Sequence, residues 1–289
     1  MPTKGYLILA QNNSSNDYVR MAYVLALSIK NSQKEITSVS LITDVPDAVP
    51  NHYKEVFDHI IEIPWYDDAL NSDWKIENRW KIYHITPYDE TVLLDADMLF
   101  LTNVDHWWGN LSKNYDLFIT SNVMTYRNET VTSDYYRKAF VRNNLPNTYS
   151  AFTYFKKTEF AEEFWTLVEV IVKNWKEFYD KFLPNYTPKH LSIDIAFALA
   201  VKILDIEDRV TTKFDYPTFV HMKSKIQNWF ISTDDWMDFG GVYLNRQGLL
   251  KISNYQQTGI FHYTEKKFLT KHIEYVYEDL YKEKINGSR

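Results

Sequence analysis

The chain has no cysteine among its 289 residues. Disulfides and thiolate metal sites are therefore excluded. Glycine is scarce too, with 7 residues against 22 tyrosines. The segment after the first apolar run, "AQNNSSND" (10–17), contains neither glycine nor lysine. A glycine-rich basic loop that wraps nucleotide phosphates is missing there, which argues against a sugar nucleotidyltransferase. No apolar run reaches the ~20 residues that cross a bilayer. The opening run, Tyr6 to Ala10, is too short for a signal peptide. Positive charge is not in excess either: the formal net charge is -6, so there is no overall basic field for nucleic acid or anionic lipid. These absences predict a soluble, cytoplasmic protein with no membrane span, in which the sequons at Asn128 and Asn185 are idle. Low glycine with abundant Asn, Lys and Ile is the composition of AT-rich genomes, phage genomes among them.

What is present is core material: 45% hydrophobic and 17% aromatic residues, enough for one large domain or two small ones. Short apolar runs read as strands at 6–10, 38–43, 59–63 and 91–95, and helical spacing occupies 17–32 and 78–85. Strands alternating with helices predict an α/β fold with an open, mainly parallel sheet flanked by helices. Further strands are expected at 115–121 and 150–157, one long amphipathic helix at 158–182, and another at 192–204. Two short strands ending in histidine follow, "TFVHM" (218–222) and "GIFHY" (259–263), then a charged helix over about 266–285. The expected organisation is a catalytic unit at 1–222 with an extension at 223–289 that completes the site, the two together forming as little as one domain.

The fourth strand runs straight into two carboxylates: "VLLDADMLFLT" (92–102) places Asp95 and Asp97 at the end of an apolar stretch. An unpaired buried carboxylate costs several kcal/mol. Hard divalent cations take oxygen ligands and leave positions open for phosphates, which suits such a pair. Alone, Asp-x-Asp is equally satisfied by a capping Asp95 and a solvated Asp97.

The surroundings separate these readings. "YDETVLLDADMLFLTNVDHWW" resembles the "YxKxxxLDxDxxxxxxxxxLF" signature of GT-A nucleotide-sugar glycosyltransferases, and most closely family 8, the glycogenin and galactinol synthase group. Tyr88 stands at the family's tyrosine, and Trp107 and Trp108 in its Leu-Phe region. The resemblance runs patchily from Leu7 to Trp229. It implies a GT-A fold, a Mn²⁺ (or Mg²⁺) cofactor at Asp95-Ala96-Asp97, a nucleoside-diphosphate sugar as donor (a UDP-sugar first), and transfer with retention to a hydroxyl acceptor such as a saccharide. It implies donor contacts for Ala10 and Asn12 at the base and ribose, for Tyr18 at the nucleoside, and for Arg79, which replaces the family's lysine. "YSAFTYF" (149–155) matches the family's "NSGVMVF" with Tyr149 for Asn and Ala151 for Gly, leaving Ser150 on the donor side and sugar choice open. "SIDIAFAL" matches "DQxxxN" in its aspartate alone, making Asp194 the candidate carboxylate beside the reacting sugar.

The family's third metal ligand is a histidine in "HFxGxxKPW". "HMKSKIQNW" starts at His221 in the family's order, with Gln227 and Asn228 for Lys-Pro and Trp229 at the family's spacing. "HYTEKKF" starts at His262 and brings Lys266 and Lys267 close behind. Order favours His221 narrowly, and both stay candidates. Among Lys223, Lys225, Lys266 and Lys267, Lys223 and Lys266 are the candidate phosphate contacts. Dense aromatics, including Trp65, Tyr66, Trp74, Tyr126 and Trp236, supply core, with a few for an acceptor cleft. Two rival readings share these residues: modification of hydroxymethylated bases in phage DNA, which the net charge disfavours, and a non-catalytic carbohydrate-binding relative, which the altered 149–151 segment leaves open.

Overall fold

The computed structural model describes residues 3–131, 137–212, 216–227, 236–238 and 240–287. The strands are β1 (Lys4–Leu9), β2 (Val39–Thr43), β3 (His59–Glu62), β4 (Glu90–Leu94), β5 (Met98–Phe100), β6 (Leu117–Thr120), β7 (Tyr149–Lys156), β8 (Val220–His221), β9 (Val242–Leu244), β10 (Leu250–Ile252), β11 (Tyr255–Gln256) and β12 (Ile260–His262). A six-stranded sheet has the order β3-β2-β1-β4-β7-β6. Strands β1 to β4 run parallel, and β7 runs antiparallel to both β4 and β6. This is the mixed α/β architecture that the alternation of strands and helices predicts. The chain winds to one side of β1 through β2 and β3, then returns on the other side with β4. That reversal opens a crevice beyond the carboxyl ends of β1 and β4.

Period-two alternation divides the sheet between two cores. Tyr6, Ile8, Val92, Leu94 and Tyr154 face one, where helix Tyr18–Ser32 and the C-terminal helix Lys271–Gly287 pack. Leu7, Leu93, Leu117, Ile119 and Phe155 face the other, against helices Glu159–Lys173 and Ile193–Leu204. Asp17 caps the first of these helices by accepting from the Arg20 N–H, as its sequence position suggests. The long helix expected over 158–182 is broken. Asn174, at φ -123° and ψ 31°, ends Glu159–Lys173, and Trp175–Phe182 restarts beyond it. Its side-chain amide donates to the Val170 carbonyl at 2.9 Å, a local bond that competes with helix continuation.

Two smaller sheets complete the fold, a β9-β10-β11 meander and a sheet of order β5-β12-β8. In the latter β12 is antiparallel to β5 and parallel to β8, with His262 directly opposite both Met98 and His221. The strand expected at 218–222 is thus only two residues long. Asn228 and Trp229 lie outside the described residues.

Gly5 has a definite steric reason. Tyr88 is buried across β1, its hydroxyl 2.7 Å from Ser40 Oγ, and a Cβ on Gly5 would fall inside the Tyr88 ring. The family-type tyrosine is therefore a packing residue beneath the sheet. Gly5→Ala should destabilise the protein by about 3 kcal/mol, the upper range for overpacking a filled core, measured as a lowered urea midpoint with an unchanged slope.

Candidate metal and nucleotide site

The crevice beyond β1 and β4 is a cavity of about 370 Å³ whose lining includes Gln11, Tyr18, Trp74, Arg79, Asp95, Ala96, Asp97, Asp194, His221, Lys223, His262 and Lys266. Its floor is set by backbone pairing. The Asp95 N–H donates to the Ala151 carbonyl on β7 at 3.1 Å, and the Tyr263 N–H donates to the Asp97 carbonyl at 3.2 Å. Asp97 immediately precedes β5, and His262 ends the strand paired with it. One ligand atom from each of Asp95, Asp97 and His262 lies within 4.8 Å of the others. His262 Nε2 is 3.1 Å from Asp97 Oδ2 and 3.9 Å from Asp95 Oδ2.

The histidine preferred by sequence order is not the one beside the aspartates. His221 stands behind, its Nδ1 3.2 Å from Nδ1 of His262. Burial, reinforced by His262, Lys223 and Arg137, holds the His221 pKa well below the usual histidine value. It is therefore neutral, and one of the two facing Nδ1 atoms can donate to the other. That contact orients His262 with Nε2 toward the carboxylates, as outer partners of ligating histidines do.

Two cations balance the acids. An Arg79 guanidinium nitrogen donates to Asp95 Oδ1, and its Nη2 donates to the Ser150 carbonyl at 2.7 Å. Lys266 Nζ donates to Asp97 Oδ2. Burial alone would raise the Asp97 pKa; His262 and Lys266 outweigh it and hold the carboxyl well below its usual range. Burial likewise pulls Lys266 down, and Asp97 outweighs it, leaving its pKa raised.

Asp194 stands on the same cavity wall, at the start of helix Ile193–Leu204. Its Oδ1 accepts from the Ser150 N–H at 2.8 Å and Ser150 Oγ at 2.7 Å, and its Oδ2 from Arg137 Nη1 at 2.7 Å. Arg137 is buried between the rings of Phe140 and Tyr149, 3.6 and 4.0 Å from their centroids. Burial acts to raise the Asp194 pKa, but Arg137 and the Ser150 hydrogen bonds prevail and lower it.

Other sequence candidates fall differently. Ala10 is buried, with its N–H on the Ile42 carbonyl, and Asn12 Oδ1 accepts the Val19 N–H at 3.0 Å. Neither lines the cavity; Gln11 between them does, its amide spanning Asn78 and Asp67. Ser150 stands behind Arg79 and Asp194 rather than on the surface of the cleft. Lys225 and Lys267 are exposed away from it. Trp107, Trp108, Tyr126 and Trp236 are buried, whereas Trp74 stands on the rim. Sequence reading missed Gln11 and Arg137. No local pattern marks either, since their partners lie 56 to 67 and 57 residues away.

A folded-state pKa below the ordinary value near 3.8 stabilises the protein above that pH, and the gain is lost as pH falls through the folded value. Arg137→Gln should therefore cost about 2 kcal/mol at pH 7, the scale of a charged hydrogen bond left unmade. The gap from wild type should close below about pH 4, which urea unfolding across that range will measure.

No family model matches the chain. Over 116 residues, 37% of its length, it is 28% identical to the uncharacterized protein R707 of Acanthamoeba polyphaga mimivirus; the match spans 40% of that protein. Among solved structures it superposes on mouse xyloside xylosyltransferase 1 in its apo form with a TM-score of 0.53, 12% identity, and coverage of 90% of this chain and 97% of that one. The chain has the fold of that enzyme, the GT-A fold of nucleotide-sugar glycosyltransferases.

Proposed function

We propose that this protein is a metal-dependent glycosyltransferase that moves a sugar from a nucleoside diphosphate, a UDP-sugar in the first instance, to a hydroxyl of a saccharide acceptor, with retention at the anomeric carbon. The observation that carries this reading is the Asp95–Asp97–His262 cluster on the floor of a cleft lined by Arg79, Lys223 and Lys266. Two carboxylates and one imidazole, with no thiolate, form a donor set for a borderline-hard dication, and the imidazole favours Mn²⁺ over Mg²⁺. A bound cation supplies Lewis-acid neutralisation of the leaving diphosphate. The reading assigns residues 1–222 to donor binding and 223–289 to completing the site, and is supported by His262 and Lys266 arriving from the latter segment.

The residues have separable tasks in this reading. Arg79 and Lys266 neutralise Asp95 and Asp97 in the protein alone. With those carboxylates engaged elsewhere, both cations can turn to diphosphate oxygens, where charge develops as the glycosidic bond breaks. Asp194 already accepts three hydrogen bonds and is held ionised. It is a fixed negative charge for an oxocarbenium-like centre and a poor proton acceptor.

Calorimetry with UDP and Mn²⁺ tests the reading. Chelator, and separately the double substitution Asp95→Ala with Asp97→Ala, should each weaken UDP binding more than about tenfold, or ~1.4 kcal/mol. A panel of Mn²⁺-loaded nucleotide sugars should then release nucleoside diphosphate from at least one donor. Nucleotide binding indifferent to chelator and to both substitutions would sink the assignment. Asp194→Asn should slow that release by about a hundredfold, a loss typical of one electrostatic stabiliser, while leaving UDP affinity near wild type.

A further inference from the structure

The metal-site cavity continues into a second cavity of about 530 Å³. Tyr18, Trp74, Lys223, Thr264 and Lys266 line both. Beyond that neck the second cavity is walled by Asn13, Ser14, Ser15 and Asn16, with Asp73 and Glu265. Asp194 and the two metal-site aspartates line the first cavity only. The cleft thus has a direction: the carboxylate Asp194 at one end, the charged cluster in the middle, and amides and hydroxyls with the Asp73 and Glu265 carboxylates at the far end.

Trp74 is 69% exposed at the neck. Other exposed aromatics on its loop have visible partners: Trp65 stacks on Trp80 at 5.4 Å and 10°, and Tyr66 receives Lys81 at 5.0 Å. Among the described residues Trp74 has no ring partner. Its loop is nonetheless fastened. The buried Lys81 ammonium donates to the Pro64 and Tyr66 carbonyls and pairs with Asp68 at 3.2 Å. Lys75, adjacent to Trp74, donates to the Ala69 and Leu70 carbonyls at 2.8 and 3.0 Å and is held at φ +55°. Asn13 Nδ2 donates to the Asp73 carbonyl at 2.8 Å, locking the loop to the opposite wall. A large apolar ring held in water by a braced loop forfeits burial energy that a flat ligand recovers.

We infer that Trp74 is a stacking residue for the base of the donor nucleotide, acting with Tyr18 at the neck between the two cavities and so setting nucleoside affinity. This rests on the donor reading above, which places diphosphate at the metal cluster and the sugar toward Asp194. The neck and the Asn13–Asn16 end are then the continuation of the cleft away from Asp194, open to the nucleoside. That end offers amides, hydroxyls and the Asp73 and Glu265 carboxylates, acceptors and donors for a base and ribose hydroxyls and poor company for a diphosphate, and stacking accepts any base through its π-face.

The test uses the full chain with Mn²⁺ and titrates UDP, GDP and inorganic pyrophosphate into wild type, Trp74→Ala and Trp74→Phe by calorimetry. The expected result is that Trp74→Ala weakens the tighter of the two nucleotides about 5- to 150-fold, the range for losing one base–aromatic stack. Pyrophosphate, which has no base, should bind all three proteins alike, and Trp74→Phe should recover most of the loss. Unchanged nucleotide affinity in Trp74→Ala overturns the inference while leaving the donor reading intact. Equal loss for nucleotide and pyrophosphate also overturns it, since the ring would then act through the shape of the site. If wild type binds neither nucleotide, the donor reading and this inference fall together.

Discussion

Everything in the cleft depends on compensating two carboxylates at the end of one buried strand. Asp95 and Asp97 repel each other by about 4 kcal/mol at ~4 Å in an effective dielectric of ~20, and burial adds to that cost. In the protein alone the charge is met by Arg79 and Lys266, which come from distant parts of the chain, and His262 stands beside Asp97 at 3.1 Å. Asp97 is thus held ionised, and both carboxylates are aimed, before any ligand arrives.

The compensating groups are themselves fixed by the fold. Arg79 reaches Asp95 while its other nitrogen is tied to the Ser150 carbonyl, and Ser150 in turn holds Asp194. One residue of β7 therefore couples the middle of the cleft to the Asp194 end. Across the cleft, the pairing of β5 with β12 and β8 sets His262 beside Asp97 and His221 behind it. A slip of one residue in that register would turn His262 to the opposite face. The rim is rigid for a similar reason, since buried Lys81 and Asn13 brace the loop bearing Trp74.

Much of the α/β framework was legible because it rests on local periodicity. The strands at β1, β2, β3 and β4 are short apolar runs closed by polar or proline-containing turns, and the helix Tyr18–Ser32 shows both its apolar spacing and its capping Asp17. The helix over 158–182 was misread because apolar spacing continues through Asn174, whose side chain bonds back to Val170 and ends the turn. Tyr88 shows a different limit. Its place in the signature was visible, but its packing against Gly5 depends on two strands distant in sequence.

The sequence by itself determined that two aspartates would end a buried strand, since an apolar run followed by Asp-x-Asp has few other resolutions. It also determined that oxygen and nitrogen, not sulfur, would form any metal site, because the chain has no cysteine. Only the tertiary structure decided between His221 and His262. Both end short apolar strands, and strand register alone determines which imidazole reaches the carboxylates. The same holds for Arg137 under Asp194, for Gln11 in place of Ala10 and Asn12, and for Trp74 on the rim. Such placements depend on contacts between segments far apart in the chain, and no local pattern encodes them.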